Sequence, residues 1–246
     1  MTERAVVDGR PATGADLGLA LAARAGHFTA MQVRGGRVRG LDLHLQRLAR
    51  ATEELYGEPL DHDVVLASLR ALAPHDASVR VHVVRTGALH VLAVADAPVE
   101  APASPRRLKT VPFARFLPHV KHGGGFPQAH LARQAARDGF DEVLLTDAGG
   151  RISEGAVTNL GCLDGERLVW PDAPMLPGIT MLLLSRACPH ERRALRVPDL
   201  QHFDAVFVCN SWGVSPVGAV DGLELPQEAF AQVRARFDAL PWDPLG

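Results

Sequence analysis

Apolar and polar positions alternate through residues 79–94, VRVHVVRTGALHVLAV, on either side of a glycine-containing turn. A period of two belongs to half-buried strands, so this stretch predicts a hairpin with strands over 79–84 and 89–94. Two more strands are predicted upstream, over residues 5–8 and 28–33. Between 33 and 79 the period becomes helical. Leu41, Leu45, Leu48 and Leu55 share one face, Asp42 is placed to cap the start and Gly57 to end it, which predicts a helix over 43–56. A second helix is predicted over 63–72. Residues 96–108 are rich in Pro and Ala, carry neither period, and read as a linker. Beyond it come a helix over 127–138 with Pro127 near its start and Gly139 after its end, and two strands around the Asp-Ala-Gly-Gly turn of EVLLTDAGGRISEG. A helix after PGIT, a strand over AVFVCN and a helix over 226–240 complete the pattern. Strand pairs mixed with helices predict an α+β fold rather than a doubly wound sheet. The domain reading is a smaller one over 1–95, the linker 96–108, and a larger one over 109–246.

Composition narrows the function. The apolar share of 47% and charged share of 22% are those of an ordinary soluble globule. A net charge of −2 offers no electrostatic case for nucleic acid or an anionic membrane. No window reaches the roughly 18 apolar residues of a membrane span, and MTERAVVDGRP lacks the profile of a signal peptide. Cys162, Cys188 and Cys209 are odd in number and far apart, which suits reduced thiols in a cytoplasmic protein. His119 and His122 stand three apart without a third ligand, so no metal is expected. HGGG at 122–125 lacks the G-x-S-x-G partner that esterase chemistry needs, and it fails the dinucleotide-binding glycine pattern.

The chemistry starts from the lysines. Of 26 basic residues only Lys109 and Lys121 are lysine; the other 24 (26 minus 2) are arginine. Arginine cannot give up its proton in a protein and lysine can, so a lysine kept against this habit is a candidate for its amine. A lysine that condenses with pyridoxal phosphate needs three companions. One is a carboxylate against the ring nitrogen, and the others are a cation and a helix N-terminus for the phosphate. Glu154 can be the first and Arg47 the second, and LPGIT opens a helix at Ile179 and Thr180.

HLQRL (44–48), VKH (120–122), ARQAARDGFDEVLLTDAGGRISEGAVTNL (132–160), MLPGIT (175–180) and VFVCNSWGVSPVGAVDG (206–222) occur in this order. Together they make the chain resemble the class IV aminotransferases, the fold-type IV pyridoxal-phosphate enzymes. That family includes branched-chain and D-amino acid aminotransferases and 4-amino-4-deoxychorismate lyase. The resemblance spans residues 28–222. It implies two α/β domains of the D-amino acid aminotransferase-like fold with pyridoxal 5'-phosphate between them. Lys121 would be the lysine on the cofactor and the base, Arg47 a phosphate contact, and Glu154 the partner of the ring nitrogen. Asn159 would lie near the cofactor, and Leu176 would pack on the ring. Ile179 and Thr180 would hold the phosphate from their helix start, and Asn210 and Ser211 would bind phosphate and substrate.

The activity implied is transfer of an amino group between an amino acid and a 2-oxo acid. The alternatives are a lyase of the aminodeoxychorismate type and a non-catalytic relative. The chain departs from many aminotransferases of the family in three places. Phe126 stands where they carry a tyrosine, HFTAMQV lacks an acidic residue, and three consecutive glycines after His122 predict a mobile loop. The FT and KH pairs lean toward the lyase. Leu17, Leu19, Leu21, Ala22 and Phe28 form an apolar stretch with no evident partner in its own half, which predicts a homodimer with residues 15–28 at the shared surface.

Overall fold

The strand and helix order read from the first half is present in the computed structural model, which describes residues 4–72 and 76–245. The chain divides into two units. One comprises Met1–Val99, Val120–Gly124 and Pro241–Gly246, the other Glu100–His119 and Gly125–Leu240.

The first unit contains β1 (Arg4–Val7), α1 (Leu17–Ala22), β2 (His27–Val33), α2 (Leu41–Tyr56), α3 (His62–Leu72), β3 (Ala77–Thr86) and β4 (Ala88–Asp96). Its sheet runs β1-β4-β3-β2, antiparallel throughout, with the short strand Arg10–Pro11 outside β1. The hairpin carries the alternation seen in the sequence: Val79, Val81 and Val83 are fully buried while Arg80 and Arg85 stay exposed. Leu48 of α2 and Val65 and Leu69 of α3 cover that face. Burying an aliphatic side chain contributes about 1.5–3 kcal/mol, so this layer holds the unit together.

Three expectations change here. Asp42 does not cap α2. The cap residue is Gly40, and the Leu41 N–H donates to Asp243 Oδ2 at 2.9 Å. The second domain expected over 109–246 also gives up two pieces to the first unit. Asp243–Pro244 pairs with Arg37–Val38 and Leu245 enters the first core. The segment 120–124 is tied to β2, where the Phe28 N–H donates to the Lys121 carbonyl at 2.8 Å and the Gly123 N–H to the Gly26 carbonyl at 2.8 Å. A Cβ on Gly123 would lie 2.5 Å from the Ala23 carbonyl oxygen and 2.7 Å from that of Arg24. Close backbone approach, not loop mobility, accounts for this glycine.

The second unit contains β5 (Arg106–Pro112), α4 (Phe126–Arg137), β6 (Glu142–Thr146), β7 (Ile152–Gly155), β8 (Asn159–Asp164), β9 (Arg167–Pro171), α5 (Ile179–Ala187), β10 (His190–Arg193), β11 (Ala205–Asn210), β12 (Gly213–Val220) and α6 (Phe230–Asp238). Its mixed sheet runs β10-β9-β8-β11-β12-β5-β6-β7. The pairs β9–β10, β12–β5 and β5–β6 are parallel. β5 begins inside the expected linker. Leu108 is fully buried between β12 and β6, but Arg106, Arg107 and Lys109 around it mask the strand period. β8, β9, β10 and β12 add to the strands the pattern predicted. α6 is shorter than 226–240 because its approach is a turn, in which the Phe230 N–H bonds the Gln227 carbonyl at 3.0 Å. Leu144, Ile152, Leu160, Val206, Val208 and Val217 form the main core, and Ala135 and Leu131 of α4 pack on Val143 and Leu145.

Candidate functional site

In β2 the period of two turns His27 and Thr29 toward α2 and Phe28 away from it. His44, Arg47 and Thr52 recur at helical spacing on the α2 face that meets them. The Thr52 hydroxyl donates to the Leu48 carbonyl at 2.8 Å and so accepts from His27 Nε2 at 3.0 Å. This leaves His27 Nδ1 bare, buried and without a partner among the described residues. Arg47 Nη2 donates to Thr29 Oγ1, which lies 2.6 Å from His44 Nδ1. Arg47 Nε is also buried without an acceptor. Burial pushes this guanidinium down to about 9, which still leaves it charged at neutral pH. A desolvated cation whose one described partner is a neutral hydroxyl is a seat for an anion. Lys121 stands beside β2, its Nζ 4.8 Å from the centroid of the Phe28 ring. Phe28 in turn stacks on His82 at 5.1 Å.

These histidines are neutral at physiological pH. Burial first, then the charges of Arg47 and Lys121, hold His44 well below the usual imidazole range. Burial, with His82 and Arg47 adding to it, lowers His27 to about 4. Burial and Arg80 lower His82 to about 4. The native state thus refuses protons that the unfolded chain takes up near pH 6.5. The stability contribution is complete above about pH 6.5 and is lost as pH falls from there toward about 4. His27 alone accounts for a loss on the order of 3 kcal/mol. Thermal melts from about pH 7.5 to 4.5 check this. The melting temperature should fall across the window, and His27→Gln should flatten the decline. A level curve for the unsubstituted protein would contradict the assignment.

In the second unit, β7 carries Glu154 into the interior, where its side chain is 6% exposed. Arg115 Nη1 donates to Glu154 Oε1 at 3.2 Å, and the Leu176 N–H lies 3.3 Å from each carboxylate oxygen. The Leu176 carbonyl accepts from Asn159 Nδ2 at 2.8 Å. Leu176 therefore joins Glu154 to Asn159 through its main chain, in addition to packing with its side chain. A Cβ at Gly178 would lie 2.1 Å from Asn159 Oδ1, so the glycine of LPGIT makes room for this asparagine. Gly178 also caps α5 and has no side chain to satisfy the first-turn N–H groups, a setting in which helix starts bind anions. Thr180 Oγ1, in that first turn, donates to the Asn210 carbonyl at 2.6 Å. Asn210 Oδ1 accepts from the Trp212 N–H at 2.8 Å, which shapes the turn holding Ser211. Behind Glu154, the buried Glu142 carboxylate accepts from the Val157 N–H at 3.1 Å and Thr158 Oγ1 at 3.0 Å. Burial raises its pKa against these hydrogen bonds and the charge of Arg106.

Of the nine residues singled out in the sequence, Glu154, Asn159 and Leu176 form one bonded network and Thr180 and Asn210 another. Arg47 joins Thr29 and His44, and Lys121 meets Phe28. Ile179 opens α5, and Ser211 is half-buried in its turn. Arg47 and Lys121 belong to the first unit and the other seven to the second. Phe126 starts α4, exposed, and stacks on His130 at 6.1 Å. The sequence reading did not single out Thr29, His44 or Arg115. The first two sit inside motifs it quoted. Arg115 is marked only by its apolar surroundings in PFARFLP. Among the described residues no group of three or more His, Cys, Asp or Glu could hold a metal. No helix among them is long and apolar enough to cross a membrane.

The model of the family described as Amino-transferase class IV matches residues 26–220. No curated protein matches the sequence. Among solved structures, a hypothetical aminotransferase from Mycobacterium tuberculosis in PLP-bound form is 22% identical, with a TM-score of 0.81 over 96% of this chain and 98% of that one. The form of that protein bound to α-ketoglutarate and PMP is 21% identical, with the same TM-score and coverage. The branched-chain amino acid aminotransferase from Escherichia coli is 19% identical, with a TM-score of 0.81 over 100% of both chains.

Proposed function

The chain belongs to the class IV aminotransferase family, and on that premise we propose that it transfers an amino group between an amino acid and a 2-oxo acid. Class IV aminotransferases depend on pyridoxal phosphate, which supplies an aldehyde to bind the amine and a ring to accept electrons from the neighbouring carbon. The donor set present in the chain fits that group. The observation that carries the reading is the buried guanidinium of Arg47, with Nε unpartnered and no carboxylate paired to it among the described residues. A phosphate is the complement such a cation lacks. The α5 start at Ile179 and Thr180 offers a second phosphate contact, and Asn210 and Ser211 hold the adjoining turn. Glu154 suits a ring nitrogen that must stay protonated, with Asn159 and Leu176 fixing its place. Lys121 would hold the cofactor's aldehyde through Nζ, and once the incoming substrate amine has displaced it, the freed Nζ would take the proton from the substrate α-carbon.

A lyase of the aminodeoxychorismate type is favoured by one observation. Thr29, not a carboxylate, stands on β2 with its hydroxyl engaged by Arg47 and His44. An amino-donor screen with the pyridoxal-phosphate-loaded protein separates the two. Product should form only when 2-oxoglutarate or another 2-oxo acid is added. Turnover without an acceptor would assign the lyase, and no turnover with any donor would leave the non-catalytic relative.

We also propose a homodimer, in a reducing compartment such as the cytoplasm, which suits the three free cysteines. The support is narrower than the sequence pattern implied. Leu19 packs on Val7, Ala23 and Leu92, Phe28 stacks on His82 and Ala22 is half-buried, so of those five residues Leu17 and Leu21, 69% and 72% exposed, are left uncovered. Sedimentation should give the mass of two chains. Leu21→Asp should halve it without unfolding the protein, whereas Leu19→Asp should unfold it. A monomer before substitution would refute the dimer.

A further inference from the structure

We infer that Arg115 is a positioning residue that keeps Glu154 ionised and aimed, so that Glu154 can hold a proton on the cofactor's ring nitrogen. The inference rests on the reading that Glu154 meets that nitrogen. Both partners lie in the second unit, and the side chains of Arg115 and Glu154 are 8% and 6% exposed. A carboxylate so deeply buried favours its neutral form unless a positive charge stands beside it. A protonated Glu154 would be a neutral acid with no charge to set against a pyridinium. The Leu176 N–H, at 3.3 Å from both oxygens, orients the group but brings no net charge. Arg115 brings a positive charge at 3.2 Å, and its Nη1 also donates to the Pro118 carbonyl at 3.0 Å. That second bond fixes the guanidinium against the stretch that runs on to Lys121. Arginine suits both tasks, because its planar fork serves two acceptors without losing its charge.

The test compares binding of pyridoxal phosphate with binding of its 1-deaza analogue, in which carbon replaces the ring nitrogen. Both are titrated into apoprotein and followed by absorbance and intrinsic fluorescence. The unsubstituted protein should prefer pyridoxal phosphate, and Glu154→Gln should erase the preference. Arg115→Gln should lower the preference by about tenfold or more while leaving affinity for the analogue unchanged. Arg115→Lys should restore part of it, and Arg115→Gln with Glu154→Gln should lose no more than Glu154→Gln alone. Equal weakening of both ligands by Arg115→Gln would mean a structural role only and overturn the inference. So would a preference kept by Arg115→Gln but lost in Glu154→Gln. Should Arg115→Gln fail to fold, the uncharged Arg115→Met decides, since an undiminished preference there overturns the inference as well. A preference that survives Glu154→Gln would instead strike at the ring-nitrogen reading, and the role of Arg115 would fall with it.

Discussion

Lys121→Ala is expected to abolish turnover, by at least about 10⁴-fold, because it removes the covalent attachment and the base together. The local backbone should keep its course. The main chain at this point is fixed by the Phe28 N–H to Lys121 carbonyl bond and by the Gly123 N–H to Gly26 carbonyl bond, neither of which needs the side chain. The contact of Nζ with the Phe28 ring is of the kind that contributes about 0.5–1 kcal/mol. Lys109 is the control, since its Nζ pairs with Asp138 at 2.6 Å on the surface. Lys109→Ala should keep full activity. After borohydride reduction and proteolysis, the cofactor mass should be found on the peptide containing Lys121. Finding it on the Lys109 peptide, or nowhere, would refute the assignment.

Glu154→Gln should show the second-largest effect and should damage activity and stability together. Glutamine keeps the shape and can still accept from the Leu176 N–H, but it cannot stabilise a protonated ring. Loss of one preorganised electrostatic contact of this kind costs roughly 10²- to 10³-fold in rate. The substitution also breaks the buried ion pair with Arg115, and breaking such a pair costs about 3–5 kcal/mol of stability. Single-turnover kinetics and a melt of the cofactor-free protein read the two losses separately. An unchanged rate would remove Glu154 from the chemistry, and an unchanged melt would show the ion pair to be neutral in balance.

What the sequence showed and what it hid differ by range. The β3–β4 hairpin and α2 are written in local periods, and Gly57, Pro127, Gly139 and PGIT mark ends that a short window can recognise. β5 is hidden because arginines flank the buried Leu108 on a strand paired on both sides. The N-terminus of α2 is hidden for another reason. Its Leu41 N–H is satisfied by Asp243, about two hundred residues away, so the nearby Asp42 looked like the cap. At the site, Lys121 stood out by rarity, and the motifs around Glu154 and Asn159 pointed to a carboxylate and an amide. Arg115 had no such contrast, being one arginine among 24. The link from Glu154 to Asn159 runs through the main chain of Leu176, and side-chain identities cannot reveal a main-chain link.

The return of residues 241–245 to the first unit bears on how the protein is made. A domain ordinarily folds as its last residue leaves the ribosome. Here the core around Leu48 and Leu69 lacks Leu245, and α2 lacks the Asp243 carboxylate at its N-terminus, until residues 100–240 have been translated. At about 5–20 residues per second, translating the stretch beyond Val99 takes roughly ten to thirty seconds. For that interval the nascent first unit is incomplete, its apolar layer open to chaperones and to other nascent chains. Ribosome stalling or premature termination before residue 241 would therefore leave the first unit unfinished, however much of the second has been made.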